Sequence, residues 1–324
     1  MFYDGFETRA YDHPGGRLRS EMRRGARTAW RTLRRKQVHT GFYTAFRNLC
    51  RGLAAQGVEV RVNDYAHARA HPSEPVGISG FPSVYDRVRV PNPAVFGPGY
   101  VPSPPDIDAV RATLDIRIFT LPSDWPCRLY PSLGDAVQPL FAPVDVDDWP
   151  DLSRAEKTHD FVVYDKIHWR REARQADLVQ PLLAALAARG LRVRHLRYGD
   201  HHFAQYREAL RRSRALLFLC EHETQGLAYQ EAMAANIPVL AWDEGVLRDP
   251  RQGGFAPPGL RVSSVPYFDA RCGLTFRTVD LEAKLDAFLD RIDAYAPRAY
   301  VAETLNPAAA ASRYLELLER AAAG

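Results

Sequence analysis

The stretch CEHETQGLAYQEAMAANIPVLAWDEG, residues 220–245, connects two apolar segments through a loop and an Ala-rich run of helical length. The apolar run at 215–220 ends where the stretch begins, and a second apolar run at 239–242 lies near its end. A strand, a helix and a strand in this order predict a βαβ unit and therefore parallel strands. In an open parallel sheet, ligands bind beyond the carboxyl ends of the strands, where the next helix begins.

Two carboxylates flank the predicted start of this helix. Gly226 permits close approach of the backbone to a ligand, and a helix starting at Leu227 directs partial positive charge at that ligand, which suits a diphosphate. Glu231, one turn after Leu227, suits hydrogen bonds from vicinal hydroxyls, and Glu223 suits those from a second polyol. On spacing alone, an exposed glutamate on a helix and an acidic N-terminal turn explain these two residues equally well.

The same alternation continues on the N-terminal side of this stretch. The pattern predicts strands at 161–164, 191–196, 215–219 and 239–242, and helices at 177–189, 203–212 and 227–235. Strands separated by helices of this length predict a parallel, doubly wound sheet. A polar, proline-bearing segment near Pro150 predicts a boundary between two domains, 1–150 and 151–324.

The N-terminal half gives a weaker pattern. Apolar residues at helical spacing over 42–53 predict a helix, and alternating valines at 58–62 predict a strand after it. Proline and glycine crowd residues 71–105, which predicts irregular loops with short strands such as 88–90. A further strand is predicted in DIRIFTLPSDW, residues 115–125.

Composition narrows the class of protein. The chain has 324 residues, 46% hydrophobic and 25% charged, which is typical of a soluble protein of two domains. A balance of 43 basic against 39 acidic residues is too even for a dedicated nucleic-acid binder. Four scattered cysteines without a CxxC pair, and an N-terminal sequence without the apolar core of a signal peptide, predict a cytoplasmic protein.

Several familiar sites are absent or incomplete in the sequence. Neither G-x-G-x-x-G nor a Walker A motif occurs, which disfavours dehydrogenase and phosphoryl-transfer functions. DVDD, residues 145–148, resembles a metal-binding DxD but lies in the expected linker, so we interpret it as a turn. CEHE, residues 220–223, lacks a second Cys/His pair at ligand spacing. We therefore predict no metal site.

Residues 223–242, ETQGLAYQEAMAANIPVLAW, resemble the E-x7-E motif of retaining glycosyltransferases of the GT-B fold (glycosyltransferase family 4-like, or glycosyl transferases group 1). Asn236 replaces a glycine that is common in that family, and asparagine also tolerates the left-handed conformation. The resemblance implies an α/β, GT-B-like fold: two Rossmann-like, doubly wound parallel-sheet domains facing a cleft, with the last helix crossing back to the N-terminal domain. The residues in register are Glu223, Gly226, Glu231, Ala232, Met233, Ala234, Pro238 and Val239.

The resemblance also implies site residues. In that family, cations after the first strand of the C-terminal domain hold the leaving diphosphate, and FVVYDKIHWRRE, residues 161–172, offers Lys166 and then Arg170 or Arg171. The predicted catalytic residues are Glu223, Lys166 and Arg170. A histidine from the N-terminal domain often lies near the donor sugar in the family. Its counterpart is left open among His39, His67 and His71, and the predicted donor-binding residues are Glu231, Gly226, Gln225, Leu227, Arg171 and Gly41.

A basic segment at 17–36 stands apart from these motifs. It contains eight arginines and one lysine against the single acid Glu21. One helical stripe of this segment is apolar, so the helix either lies on an anionic membrane surface or packs on the N-terminal domain. Gly25 weakens the helix, and we favour packing on the domain. The stripe consists of Leu18, Met22, Ala26, Trp30 and Leu33.

The function that the resemblance implies is transfer of a sugar from a nucleotide-diphosphate sugar to an acceptor hydroxyl, with retention at the anomeric carbon. A glycan or lipid-linked glycan is the expected acceptor, in glycan or glycolipid synthesis, with no metal and no cofactor besides the donor. The expected location is the cytoplasm, with peripheral attachment to the inner membrane face. Two alternatives are an inactive sugar-nucleotide-binding or interaction protein and, less favoured, a nucleic-acid glycosyltransferase.

Overall fold

The computed structural model describes residues 1–34 and 38–323. Arg35 and Lys36, the last two residues of the basic segment, lie outside the described residues, as does Gly324. The chain divides into two compact units. The first unit contains Met1–Pro143 and the chain from Pro307 onward, and the second unit is Val144–Asn306.

The division between the units lies before the boundary predicted near Pro150. Val144 already belongs to the second unit, where its backbone N–H donates to the Leu305 carbonyl at 2.9 Å. The Arg298 guanidinium donates to the Trp149 carbonyl at 2.7 Å. The segment resembles a linker in sequence because it is polar and rich in proline. Residues more than a hundred positions later bind its backbone and fix it to the second unit.

The first unit is built on a parallel sheet. Its strands are β1 (Phe2–Asp4), β2 (Val76–Gly80), β3 (Ala94–Gly99), β4 (Ile116–Leu121) and β5 (Val137–Pro139). Its helices up to Pro143 are α1 (Gly16–Leu33), α2 (Gly41–Ala55), α3 (Tyr65–Ala70), α4 (Val84–Arg87), α5 (Ile107–Arg111) and α6 (Asp124–Cys127), with a 3₁₀ turn at Pro131–Ala136. Among the described residues, the strands lie in the order β1-β2-β3-β4-β5, and each pair is parallel.

The strand predicted at 58–62 is not formed, although the segment lies beside β1. The Met1 ammonium donates to the Arg61 carbonyl at 2.8 Å, and the Asn63 N–H donates to the Met1 carbonyl at 2.9 Å. Asn63 has a left-handed backbone with a φ of 54°. Its side chain accepts from the Tyr3 N–H and donates to the Tyr3 carbonyl. An amide side chain therefore replaces the ladder hydrogen bonds that a strand would make here.

The strand predicted at 88–90 is also wrong, because this segment is the connection from α4 to β3. Strands β2 and β3 form instead within the glycine-rich sequence that predicted loops. At Gly77 of β2, a Cβ would lie 2.1 Å from the Tyr314 hydroxyl oxygen. This glycine therefore makes room for a neighbouring side chain and does not mark a turn.

The second unit contains a parallel sheet with clearer sequence signals. Its strands are β6 (His159–Asp165), β7 (Val193–Arg197), β8 (Ser213–Leu219), β9 (Val239–Trp242) and β10 (Gly273–Phe276). Its helices are α7 (Arg171–Arg174), α8 (Gln180–Ala188), α9 (Phe203–Arg212), α10 (Leu227–Ala234), α11 (Pro250–Gly253), α12 (Leu281–Asp290) and α13 (Pro297–Thr304), with a π-helical turn at Gln175–Val179 and 3₁₀ turns at Val146–Asp148, Thr278–Asp280 and Ile292–Ala294. The strands and helices predicted between 161 and 242 are confirmed, with shifted ends for several of them.

The strand order of the second unit is β10-β9-β8-β6-β7, and all of its pairs are parallel. The chain passes from β6 to β7 on one side and then returns to β8 on the other side of β6. This reversal is the mark of a doubly wound sheet. The predicted α/β class, with a Rossmann-like parallel sheet in each half of the chain, is confirmed. The reversal of a doubly wound sheet occurs in the second unit, whereas the five described strands of the first sheet follow one another in chain order.

The last helix, α14 (Pro307–Ala323), belongs to the first unit. Its buried face, which includes Tyr314 and Leu317, packs against Leu49 and Leu53 of α2 and Val95 of β3. These apolar contacts fix the end of the chain on the sheet of its first half. None of the helices in the described residues has the length and apolar character needed to span a membrane.

Truncation of a buried residue on α14 should destabilise the first unit. We expect Leu317→Ala to lower the free energy of unfolding by about 2–5 kcal/mol, because it leaves a cavity in a fully buried cluster. Glu319→Ala on the exposed face of the same helix should change it by less than about 0.5 kcal/mol. Urea unfolding followed by circular dichroism measures both values, and equal values for the two variants would contradict this packing.

Candidate functional site at the ends of two parallel strands

The carboxyl ends of β6 and β8 lie side by side at the point where the strand order reverses. Asp165, the last residue of β6, is in register with Leu219, the last residue of β8. The Lys166 backbone N–H donates to the Leu219 carbonyl at 2.8 Å, so the segments that follow β6 and β8 begin side by side. In doubly wound sheets, ligands bind in the crevice at this reversal.

Two of the predicted catalytic residues meet at this position. The Lys166 ammonium donates a hydrogen bond to the Glu223 carboxylate, and both side chains are largely buried. The ammonium also lies 4.9 Å from the centre of the Tyr198 ring. Burial by itself lowers the pKa of Lys166, but the Glu223 carboxylate outweighs this effect and holds that pKa above its usual value. Lys166 is therefore a charged group at neutral pH.

Helix α10 begins beside this ion pair. Gly226 precedes the helix with a φ of 83°, and a Cβ on it would lie 2.3 Å from the Tyr229 ring and 3.3 Å from the Glu223 Cγ atom. Only glycine fits this position without strain. Leu227 is the first residue of the helix, and the first N–H groups of a helix have no partner within it. Free donors and partial positive charge therefore lie next to Glu223.

Gln225 uses its side chain within the protein. Its Nε2 donates to Gln230 Oε1 at 2.8 Å, and Gln230 Nε2 donates to the Gln225 carbonyl at 3.2 Å. Both residues are buried. The Gln225 side chain therefore holds the loop against α10. The predicted contact of Gln225 with a donor would have to come from its backbone.

The structure separates the two candidate arginines. Arg171 forms two hydrogen bonds with the buried Asp165 carboxylate, at 2.9 and 2.5 Å. Burial raises the pKa of Asp165, but hydrogen bonds from His195 and Arg171 outweigh this effect and hold that pKa below its usual value. Asp165 therefore stays ionised and paired. Arg170 is exposed, and its guanidinium forms no hydrogen bond or ion pair with any residue in 1–34 or 38–323. Arg170 is therefore the arginine available to a ligand.

A buried carboxylate that sequence analysis did not assign a role holds the loop carrying these cations. Glu221 accepts from the backbone N–H groups of His168 at 3.1 Å and of Trp169 at 2.9 Å. The Trp169 ring stacks on His222 with 4.8 Å between centres. Burial lowers the pKa of His222 to about 4, so this ring is neutral at pH 7. The sequence feature that could have predicted this role is the position of Glu221 directly after the apolar run at 215–220.

Glu231 lies half-buried on α10. Its carboxyl group has no hydrogen-bond partner within the described part of the chain. Burial raises its pKa to about 8, against a smaller lowering by Arg207. Burial also raises the pKa of the Tyr164 hydroxyl, on which the charges of Lys166, Glu231 and Glu223 all act. Lys166, Glu223 and Glu231 therefore lie near enough to the Tyr164 hydroxyl for the charge of each to act on it.

Gly41, the remaining predicted donor-binding residue, lies in the first unit at the start of α2. Thr40 caps this helix by accepting from the Tyr43 N–H at 3.3 Å. The Thr40 N–H in turn donates to the Glu7 carboxylate at 2.7 Å. Because Glu7 follows β1, the start of α2 lies on the carboxyl side of the sheet of this unit.

The three candidate histidines lie at opposite ends of that sheet. His39 directly precedes the Thr40 cap and is therefore on the carboxyl side, with its ring 5.1 Å from that of Tyr43. The His67 and His71 rings stack at 4.2 Å. The His71 carbonyl accepts from Asn92, which precedes β3, so this pair is on the amino side. His39 is thus the candidate histidine on the carboxyl side of the first sheet.

One group of side chains could hold a metal ion. In the ranges 1–34 and 38–323, His67, His71 and Glu74 are the group whose ligand atoms approach one another closely, all within 4.8 Å. They lie at the amino end of the first sheet, at the opposite end from the start of α2. Asp145 and Asp147 of DVDD instead form a turn, in which the Asp145 carboxylate accepts from the Asp147 N–H at 3.0 Å.

No protein-family model and no curated protein matches this sequence. Solved structures with similarity include AviGT4, a glycosyltransferase involved in avilamycin A biosynthesis, at 14% identity, 88% of this chain, 91% of that chain and a TM-score of 0.48. The sucrose-phosphate synthase of Thermosynechococcus elongatus has 13% identity, with 87% and 80% covered and a TM-score of 0.47. S. aureus TarM has 15% identity, with 63% and 44% covered and a TM-score of 0.45, so this chain aligns with less than half of TarM.

The raised pKa of Glu231 gives a testable pH dependence. Because the folded-state value of about 8 lies above the ordinary value of 4.5, the folded protein binds more protons than the unfolded chain between these two values. Ionisation of Glu231 therefore lowers the free energy of unfolding as the pH rises from about 4.5 to about 8. Glu231→Gln should flatten this decline in a series of urea unfolding curves. A decline of the same slope in the variant would show that Glu231 is solvated.

Proposed function

We propose that this protein is a retaining glycosyltransferase that moves a sugar from a nucleotide-diphosphate sugar to an acceptor hydroxyl. The observation that carries the proposal is the Lys166–Glu223 ion pair at the reversal between β6 and β8, beside the start of α10. A cation, a carboxylate and free helix N–H groups meet there at the edge where a doubly wound sheet binds ligands. A nucleoside diphosphate linked to a polyol matches these three features.

The chemical task of the site is to stabilise negative charge on the leaving diphosphate. Cleavage of the glycosidic bond leaves an oxocarbenium-like sugar and a diphosphate oxygen that gains charge. Lys166, the exposed Arg170 and the N–H groups from Leu227 onward supply positive charge, so we propose that transfer requires no metal ion. Glu221 and Asp165 support this role indirectly, because they hold the loop that carries the cations.

The two glutamates take different parts in the proposal. A bound diphosphate becomes a second anionic partner for Lys166, which releases the Glu223 carboxylate to accept hydrogen bonds from hydroxyls of the transferred sugar. Glu231 accepts hydrogen bonds from the ribose. Its raised pKa makes this interaction dependent on pH, because only the ionised carboxylate accepts with both oxygens.

We assign the acceptor and the location as part of the same proposal. His39, Gly41 and the start of α2 lie on the carboxyl side of the first sheet, and we propose that a glycan or a lipid-linked glycan binds there as the acceptor. All four cysteines are free, which is consistent with a reducing cytoplasm.

An inactive protein that binds sugar nucleotides is the second candidate, because the cations favour binding whether or not turnover follows.

Donor turnover tests the proposal directly. We expect purified protein to hydrolyse or transfer the sugar of at least one nucleotide-diphosphate sugar from a panel, and to do so in excess chelator. Lys166→Ala should reduce the rate by about a hundredfold or more, a loss typical when one charge-stabilising group is removed. Binding of a donor without any turnover would support the inactive alternative. Activity that chelator abolishes and a divalent ion restores would overturn metal independence.

Isothermal titration with nucleoside diphosphate separates the two glutamates. At a pH above about 8, where Glu231 is ionised, Glu231→Gln should weaken binding by roughly 1.5–3 kcal/mol, which is typical of hydrogen bonds to a charged group. Glu223→Gln should leave the affinity unchanged or raise it, because Lys166 loses a competing anion, while donor turnover falls. Wild-type affinity should also rise as the pH increases through about 8, and this rise should vanish in Glu231→Gln. Near-wild-type affinity and turnover in both variants would refute these roles.

A further inference from the structure

Helix α1 is attached to the first unit through one face. Ser20 is buried and accepts from the Arg9 N–H at 2.9 Å. The Arg27 guanidinium donates to the Phe6 carbonyl at 3.1 Å and lies 3.8 Å from the Glu7 carboxylate. Ser20 and Arg27 are two turns apart, so they fix the face of the helix that is turned toward the protein.

The apolar stripe lies on the opposite face of α1 and is open to solvent. Leu18 is 63% exposed, Met22 68%, Trp30 47% and Leu33 83%. The preference for packing of this stripe on the N-terminal domain is therefore wrong. Polar and basic residues of the helix make the contacts with the domain, and this leaves the apolar residues outward. Among the described residues, no other segment exposes four large apolar side chains on one helix.

Positive charge borders this stripe. Arg19 and Arg23, one turn apart on the Trp30 side of the stripe, are exposed and form no ion pair with any residue that the structure describes. Arg34, just after the helix, lies over the Trp30 ring at 5.6 Å. The single acid of the helix is Glu21. An exposed apolar stripe with an indole ring and flanking arginines matches the composition of helices that lie in the interface of a bilayer.

We propose that α1 binds the surface of an anionic lipid bilayer. Its axis lies in the plane of the membrane, the stripe of Leu18, Met22, Ala26, Trp30 and Leu33 enters the boundary between headgroups and acyl chains, and Arg19 and Arg23 contact acidic headgroups. The face that carries Ser20 and Arg27 stays fixed to the protein. This inference does not depend on the proposed sugar transfer.

The charges of α1 favour a lipid surface over other occupants. A second copy docked through the same stripe would bring two arginine-bordered helices together, and Glu21 is the one acid on each to offset the repulsion. A nucleic acid would satisfy the arginines but would leave the apolar stripe in water. An anionic bilayer satisfies the charges and buries the stripe in one contact.

Sedimentation with vesicles of the full chain tests this proposal without donor or acceptor. Wild-type protein should bind phosphatidylcholine vesicles that contain phosphatidylglycerol, bind pure phosphatidylcholine weakly, and dissociate at high salt. Arg19→Gln combined with Arg23→Gln should lower the partition coefficient by about tenfold. The matched control is Arg111→Gln with Arg128→Gln, two exposed arginines of the same unit, which removes equal charge outside α1 and should keep wild-type binding.

The apolar contribution is tested separately. Leu18→Gln with Leu33→Gln should also reduce binding about tenfold, whereas Val279→Gln, at a residue 90% exposed in the second unit, should not. The tryptophan emission should shift to the blue on anionic vesicles, and Trp30→Phe should abolish the shift, because Trp125, Trp149 and Trp242 are buried and the half-buried Trp169 stacks on His222 in the second unit. Absence of wild-type binding at low salt would overturn the proposal. So would dimers that Leu18→Gln with Leu33→Gln converts to monomers, or DNA binding that exceeds vesicle binding.

Discussion

The parallel pairing of β6 with β8 is the constraint on which the candidate site depends. It brings the last residues of the two strands into register and joins them by the hydrogen bond from the Lys166 N–H to the Leu219 carbonyl. The residues that follow the two strands must then lie close together at the carboxyl edge of the sheet. Lys166 and Glu223 meet there although 57 positions separate them in sequence. The strand order reverses at this pair, because β7 lies on one side of β6 and β8 on the other, and a ligand-sized crevice forms at such a reversal.

Buried carboxylates then determine which cations are available. Asp165 takes the Arg171 guanidinium, and Glu221 takes two backbone N–H groups of the following loop. These contacts fix the path of the loop up to Arg170, which adopts a left-handed backbone and extends into solvent. Such a site is organised before a ligand binds, so less of the binding free energy is spent on ordering the loop.

The predictions from sequence held where burial on both faces of a sheet dominates. The strands at 215–219 and 239–242 are fully buried, and the long apolar runs that this requires are visible in the sequence. They failed in the first unit. The alternation of valines at 58–62 is that of a strand, but Asn63 supplies side-chain hydrogen bonds in place of the ladder. The glycines of β2 resemble loop residues, yet Gly77 is required by the close approach of Tyr314 from a helix more than 230 positions later.

The sequence by itself determined the α/β class, the E-x7-E spacing and the amphipathic period of α1, because each depends on residues that are neighbours along the chain. Only the tertiary structure decided which of Arg170 and Arg171 is available, since the answer depends on the burial of Asp165. It also placed His39 on the carboxyl side of its sheet and His67 and His71 on the amino side, because the two ends of a parallel sheet are distinguished by strand direction. Finally, it turned the apolar face of α1 outward. The period of a helix defines its faces, but the partners at Ser20 and Arg27 decide which face meets the protein.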